Sequence, residues 1–397
     1  MQDYAGVNLQ LPNGLPRQPE PPGVISELLA GAAVRINGDS PWDIQVYDEK
    51  VYRLMLTQGS LGLGRAYMEG LWDSDQLDET FHRLLAANID TKMVGWARVR
   101  LHGEVLRQRL FNLQSPQRAF QVAEQHYDIG NDVFEPMLDS RMIYSCAYWE
   151  HASNLEQAQQ HKLDMICRKL QLQPGERLLE IGCGWGGLAR YAADHYGVEV
   201  VGVTVSKAQQ KLAQERCAGL PVTIELKDYR DMTGEFDKIV SVGMFEHVGL
   251  KNYPIYFDTV RRLLKEEGLF LLHTIGHYVT AHKTDAWIDN YIFPNGKLPS
   301  ARELAAVLEN RFVIEDWHNF GQDYDRTLMA WWDNFERAWP ALEGKYGPGF
   351  YRMWKYYLMC CAGFFRSRQG LLWQIMLSKR QRRGVYRSLR LPQDQAT

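Results

Sequence analysis

Residues 177–187 read Arg-Leu-Leu-Glu-Ile-Gly-Cys-Gly-Trp-Gly-Gly: an apolar strand runs into a glycine turn and opens a helix over 188–196. Such a strand, turn and helix make a nucleotide-binding βα unit, because glycines let the backbone approach a ligand and the amides of the first helical turn face it. Gly182, Gly184 and Gly187 satisfy G-x-G-x-x-G, so the pattern alone suits either a nicotinamide dinucleotide or S-adenosylmethionine. Two neighbours favour the second. Glu180 places a carboxylate at the strand end, where it would repel a pyrophosphate but suits a ligand carrying an ammonium and a sulfonium. The next strand, 198–204, ends in Thr204-Val205-Ser206 instead of the acid that grips dinucleotide ribose hydroxyls. Its hydroxyls, with Gln209, are candidates for a ribose or for the amino acid end of the ligand. Glycines kept for packing alone are the bland alternative.

Downstream, helices and strands alternate: helix 207–217, strands 222–226 and 236–242, helix 253–264, strand 269–274, helix 301–309 and strand 312–317. This order predicts an α/β, Rossmann-like fold with a doubly wound, mostly parallel sheet. Residues 276–299 form a long insertion above the carboxyl ends of the strands, where ligands bind in such folds. Upstream, 23–115 predicts a small, mainly helical domain, with helix 25–33, strand 43–46, and 52–56 followed by a turn-rich connection at Gly59, Gly62 and Gly64. Ser115-Pro116 breaks a helix and marks the boundary to a catalytic domain over 116–397. Residues 1–22, rich in Pro, Gly, Asn and Gln, predict a loose arm.

The net charge of −3 argues against a nucleic-acid partner, since duplex binding needs many uncompensated Lys and Arg. The six cysteines show no CxxC pairing or zinc spacing, and no apolar signal-peptide core opens the chain, which predicts a reducing cytoplasm. No run approaches the roughly 20 apolar residues a membrane span needs. Local charge is more telling. From 351 to 390 there is no acidic residue, while Arg366, Arg368, Lys379, Arg380, Arg382, Arg383, Arg387 and Arg390 gather near Trp354, Phe364, Phe365, Leu371, Leu372 and Trp373. Residues 92–118 show a weaker version of the same bias. Both segments predict peripheral contact with an anionic membrane surface on its cytoplasmic face; two solvated basic helices are the alternative.

Polar clusters fall at strand ends and in loops: Tyr144-Ser145-Cys146, Glu246-His247, His273, and Tyr324 between Asp323 and Asp325. A lone His at a strand end is usually structural. Here Glu246 follows strand 236–242 and His273 nears the end of 269–274, so both can point into one crevice. An acceptor, switchable donors and a thiol without metal-ligand spacing are compatible with a hydrogen-bonded cage.

The runs 126–132 (His-Tyr-Asp-Ile-Gly-Asn-Asp), 144–149 (Tyr-Ser-Cys-Ala-Tyr-Trp), 180–187, 243–249 (Gly-Met-Phe-Glu-His-Val-Gly) and 272–276 (Leu-His-Thr-Ile-Gly) resemble the cyclopropane fatty acid synthase family. The resemblance continues through 291–296 and 361–366, covers nearly everything from 25 to 373, and points to the phospholipid-acting bacterial branch. It implies a class I S-adenosylmethionine-dependent methyltransferase domain and a homodimer. The implied reaction moves the cofactor methyl onto a cis double bond of a phospholipid acyl chain and closes a cyclopropane.

It also implies a bicarbonate held by Cys146, Glu246, His273 and Tyr324 with the backbone near Ile275, Glu246 being the alternative base. Cys361 is a further catalytic candidate, although beside Cys360 in an apolar run it reads as packing. For the cofactor it implies Tyr144 and Ser145 over the methionine end. Glu180, Gly182, Cys183, Gly184, Trp185 and Gly186 would form the loop, Thr204, Val205, Ser206 and Gln209 follow the second strand, and Tyr229 and Arg230 flank the adenine. A carbocation would need a dry, electron-rich pocket, for which Tyr144, Tyr148, Trp149, Tyr291 and Phe293 are candidates. Other readings are an acyl methyltransferase that stops at a methyl or methylene branch, and a lipid-binding protein without turnover.

Overall fold

The computed structural model describes residues 21–88, 130–281 and 284–390. The arm before residue 21, the basic run 92–118, the boundary at 115, the start of the 126–132 motif and the last seven residues lie outside the described residues. In chain order the elements are α1 (Gly23–Ala30), β1 (Gln45–Val46), α2 (Lys50–Gln58), α3 (Ser60–Met68), β2 (Trp72–Asp73), α4 (Leu77–Ala86), α5 (Asn131–Met137), α6 (Leu155–Lys169), β3 (Arg177–Ile181), α7 (Gly187–Tyr196), β4 (Glu199–Thr204), α8 (Lys207–Arg216) and β5 (Val222–Leu226). There follow β6 (Phe236–Val242), α9 (Tyr253–Leu263), β7 (Leu264–His277), α10 (Ala286–Tyr291), α11 (Ala301–Leu308), β8 (Val313–Asn319), α12 (Gln322–Arg366) and β9 (Gly370–Ser378).

The described residues fall into two compact units. One takes 21–88, 284–294 and 324–370, and the other takes 130–281, 295–323 and 371–390. Segments 284–294 and 324–370, which the sequence assigns to the catalytic domain, therefore gather with the amino-terminal helices.

In the helical unit, α2 and α3 pack closely. Gly62 and Gly64 do not form the turn that the glycine spacing predicts but lie inside α3, buried. The reason is steric: a Cβ on Gly62 would sit 2.1 Å from the Leu54 carbonyl oxygen, and one on Gly64 would sit 2.3 Å from the Trp287 ring. Helix α12 breaks at Gly347, with φ of 71°, ahead of Pro348. Beyond the break Arg352 donates to the carbonyl of Trp72 at 2.9 Å and to Asp73 at 2.8 Å, tying α12 to β2. The Tyr356 ring meets Tyr67, Phe81 and Trp287.

The second unit is built on a seven-stranded sheet of order β5-β4-β3-β6-β7-β9-β8. Strands β3 to β7 pair in parallel, as their near-continuous apolar runs predict for a sheet covered on both faces. One apolar layer joins Phe257, Val260 and Leu304 from α9 and α11 to the sheet, and the other joins Leu163, Ile166, Leu188 and Ala192 from α6 and α7. The strand order reverses at β3, so the carboxyl end of β3 is the topological switch point.

One expectation fails here. Strand β8 does not continue the parallel pattern but pairs antiparallel with β9. Residues 351–390 supply the end of α12 and the strand β9, and Trp354, Phe365, Leu372 and Trp373 are buried. The arginines flank a core strand. Among the described residues no helix is long and apolar enough to cross a membrane.

Candidate active site

The glycine loop leaves β3 with Gly182, Gly184 and Gly186 all at positive φ, of 83°, 52° and 78°. These angles and the packing exclude side chains for different reasons. A Cβ on Gly182 would lie 2.8 Å from Met244, and one on Gly186 would lie 3.0 Å from Cys217 Sγ, whereas nothing lies within 4 Å of one on Gly184. Gly184 thus faces open space at the switch point. Cys183 belongs to the apolar layer under α7, and Trp185 packs on Phe134 while its Nε1 donates to Asn131 at 3.2 Å. These two side chains turn into the protein, leaving only their backbone for a ligand.

Glu180, one residue before the end of β3, is buried, and its Oε2 has no hydrogen-bond partner among the described residues. Burial pushes its carboxyl up, against the pull of the Lys162 ammonium and the Ala189 amide. Lys162, on α6, is buried as well and pushed down for the same reason, with Asp139, Cys146 and Glu180 opposing the shift. Its Nζ donates to Ser145 Oγ at 2.8 Å, and Gln159 Nε2 donates to the Ser145 carbonyl at 2.9 Å. Tyr144 packs edge-on against Phe134. A buried carboxylate oxygen with no partner, beside an open glycine, fits the ammonium of an adenosylmethionine.

The residues after β4 hydrogen-bond one another. Ser206 caps α8 by accepting from the Gln209 amide at 3.3 Å, and Thr204 Oγ1 donates to Gln209 Oε1 at 2.9 Å. These bonds, with the Ser206 amide donating to Thr204 Oγ1 at 3.2 Å, shape the turn around half-buried Val205. Arg230 is similarly engaged: its Nε and Nη2 reach Asp228 at 2.8 and 2.6 Å. Tyr229 meets Tyr256 edge-on, and burial raises its hydroxyl pKa to about 12.

Glu246 and His273 come together at the ends of β6 and β7, where Val242 and His273 are register partners. Glu246 Oε1 accepts from the Ile275 amide at 2.7 Å, and Oε2 is buried without a partner among the described residues. Burial raises its carboxyl to about 7. His273 is buried, accepts no proton readily, and leaves Nε2 without a partner while Nδ1 lies 3.2 Å from Gln374 Nε2. Cys146 is buried, with Sγ 3.2 Å from the Ala147 carbonyl. Among the described residues no three His, Cys, Asp or Glu side chains gather as a metal site.

Tyr324 and Cys361 belong to the helical unit. Tyr324 stacks on Phe365 with ring centroids 4.5 Å apart. Cys361 is half-buried, not the fully packed thiol its apolar run predicts, and its neighbour Cys360 is within 3.3 Å of the Tyr357 carbonyl. Tyr291 and Phe293 are also in that unit, against Arg65 and Tyr357, whereas Tyr148 and Trp149 lie in the sheet unit with Phe320 and Asp323.

A sequence model of the mycolic acid cyclopropane synthetase family matches residues 114–375. The chain belongs to this family. It is 55% identical over 368 residues to a cyclopropane-fatty-acyl-phospholipid synthase of Escherichia coli (strain K12), covering 93% of this chain and 95% of that protein. It is 33% identical to the tuberculostearic acid methyltransferase UfaA1 of Mycobacterium tuberculosis, over 78% of this chain and 76% of the relative. The cyclopropane synthase MmaA2 of Mycobacterium tuberculosis superposes with a TM-score of 0.62 at 31% identity, covering 66% of this chain and 98% of MmaA2. The mycolic acid cyclopropane synthase CmaA1, solved with S-adenosylhomocysteine, gives 0.62 at 32% identity, with coverage of 66% and 98%. The sheet unit is thus a Rossmann-like, S-adenosylmethionine-dependent methyltransferase fold.

Lys162, Lys169, Asp228 and Gln374 are absent from the sequence reading. The first two carry a legible signal. Ala158, Gln159, Lys162, Leu163, Ile166 and Lys169 fall on the buried face of α6, so two lysines occupy positions where the helical period calls for apolar residues. A buried lysine is stable only with partners, which marks such positions for attention.

Proposed function

We propose that the chain is a cyclopropane-fatty-acyl-phospholipid synthase, converting a cis double bond of an unsaturated phospholipid acyl chain into a cyclopropane. The observation that carries the reading is the pair Glu246 Oε2 and His273 Nε2, both buried and unpartnered among the described residues, one in the turn after β6 and the other on the neighbouring strand β7, beside the β3 glycine loop. The 55% identity to the Escherichia coli synthase supports the substrate class.

Bound S-adenosylmethionine supplies an electrophilic methyl on sulfur. The alkene is a weak nucleophile, so the loop and Glu180 act by orientation, holding the methyl donor in line with the double bond. Methyl transfer would form a C–C bond as the C–S bond of the sulfonium breaks, releasing the thioether and leaving a carbocation on the acyl chain; Tyr144, Tyr148 and Trp149 would exclude water and offer ring faces. Ring closure needs a proton removed from the new methyl. Glu246, with its pKa near 7, is ionised to a useful extent at neutral pH and suits that task. The site also suits a bicarbonate, which Cys146, Glu246 and His273 would hold and which would supply a base.

The reading extends to binding at an anionic membrane surface and to a homodimer. Exposed Arg380, Arg383 and Arg387 around Val385, itself 84% exposed, support the first. Incubation with S-adenosylmethionine and vesicles of unsaturated phospholipid tests the activity. The expected product gains one CH₂ per converted chain and shows cyclopropane ring protons by NMR. The same mass gain with vinyl protons would identify a methylene-branching enzyme instead, and no gain would sink the reading.

A further inference from the structure

A buried polar chain runs behind His273. Gln374, on β9, has Nε2 at 3.2 Å from His273 Nδ1, and its Oε1 accepts from Lys169 Nζ at 2.8 Å. Lys169, at the end of α6, also contacts His318 Nδ1 at 3.0 Å and lies 4.0 Å from Asp316 Oδ2. Asp316 in turn pairs with Arg390. His273, Lys169, Gln374, Asp316 and His318 are all buried, so each orientation must be satisfied inside the protein.

With Lys169 charged, the donors and acceptors leave one arrangement. Burial lowers Lys169 to about 7 against the pull of Asp316; its ammonium only donates, so the amide edge of Gln374 that faces Lys169 must be its oxygen. The opposite edge, facing His273, is then the NH₂ group, which donates. Nδ1 of His273 is therefore an acceptor, and in a neutral imidazole the proton must sit on Nε2. That nitrogen is the one without a partner among the described residues. His318, which burial and the Lys169 charge hold neutral with a pKa near 3, accepts at Nδ1 from the same ammonium and leaves the Gln374 orientation unchanged.

We propose that Gln374, oriented by Lys169, is a positioning residue that fixes His273 as the Nε2–H tautomer and so aims a hydrogen-bond donor at an anion in the active site. The proposal rests on the functional reading for the anion, but not for the tautomer. Asp316 supplies counter-charge to Lys169 and shares it with Arg390, whose like charge opposes the lysine, which ties residue 390 to the geometry of a strand-end histidine.

Histidine side-chain NMR of the isotope-labelled full-length protein, with His273 assigned by its loss in His273→Gln, reads the tautomer directly. The expected spectrum is that of a neutral ring protonated at Nε2. A ring protonated at Nδ1, or at both nitrogens at neutral pH, overturns the proposal.

Gln374→Glu keeps the shape and the Lys169 contact but replaces the donor by an acceptor, and should move the proton to Nδ1. Its kcat should fall by about 10²-fold, as on loss of one oriented donor, while KM for S-adenosylmethionine stays within a few-fold. Unchanged kcat in a folded Gln374→Glu protein also overturns it. Lys169→Met, which frees the amide to turn over, should give a mixture of tautomers. A wild-type protein with the expected spectrum but no activity on unsaturated phospholipid would remove the functional reading and leave the tautomer assignment standing.

Discussion

The Ile275 amide donates to Glu246 Oε1 at 2.7 Å, so the backbone of β7 holds one carboxylate oxygen while burial keeps the other from water. Desolvation raises the carboxyl from 4.5 to about 7. The folded chain therefore keeps a proton that the unfolded chain has released, and the associated stabilisation is full below 4.5 and lost as pH rises through about 7. Glu246→Gln should remove this slope and be more stable than the parent above that pH, by up to about 3 kcal/mol. Thermal melts across the window check it. Turnover should fall by about 10²-fold or more, and a fully active variant would exclude Glu246 from proton transfer.

Gly184 and Gly182 make a matched pair. Gly184→Asp has open space around its Cβ and should fold at a cost of about 1–2 kcal/mol for its positive φ, yet lose S-adenosylmethionine binding. Gly182→Ala drives a methyl to within 2.8 Å of Met244 and should instead lower stability. Calorimetric titration with S-adenosylmethionine separates them; tight binding by Gly184→Asp would refute the loop assignment.

Helix propensity and packing pull in opposite directions at Gly64. Alanine in a helix interior normally gains about 0.5–1 kcal/mol over glycine. At this position its Cβ would lie 2.3 Å from the Trp287 ring, so Gly64→Ala should destabilise by about 1–3 kcal/mol. Gly23→Ala, with nothing within 4 Å, is the control and should be neutral or slightly stabilising in urea unfolding.

Lys379 is paired with Glu266 at 3.2 Å and Arg390 with Asp316, which leaves Arg380, Arg383 and Arg387 as the exposed cations of the segment after β9. Each Lys or Arg close to an anionic surface contributes roughly 1 kcal/mol. Replacing all three by Gln should weaken binding to anionic vesicles by about two orders of magnitude, and salt should do the same to the parent as the Debye length falls to about 3 Å at 1 M. An unchanged partition in co-sedimentation would leave these residues as ordinary solvated charges.

The parallel core was legible because β3 to β7 are apolar runs bounded by turns, and Glu246 and His273 were legible because they stand at the ends of two such runs. Strand β9 was not, because Leu371, Leu372 and Trp373 lie amid arginines and share their composition with a membrane-surface segment; only pairing with β8 decides between them. Gly62 and Gly64 look like turn residues until Leu54 and Trp287 fill the space beside them. Thr204, Ser206 and Gln209 carry the right groups for a ligand; that they also hydrogen-bond one another is a property of geometry that spacing does not encode. Gln374 is silent in sequence because its meaning depends on Lys169, far away in the chain.

Strand β9 lies between β7 and β8 although it follows both in the chain. On a ribosome, β8 emerges with no neighbour to pair with, and must wait in the open until residues 370–378 have been made. The donor that faces His273 arrives with that same strand. A nascent chain interrupted before it would carry the glycine loop and the parallel strands but an unsupported histidine, so the chemistry cannot be assembled until residues 370–378 have been made.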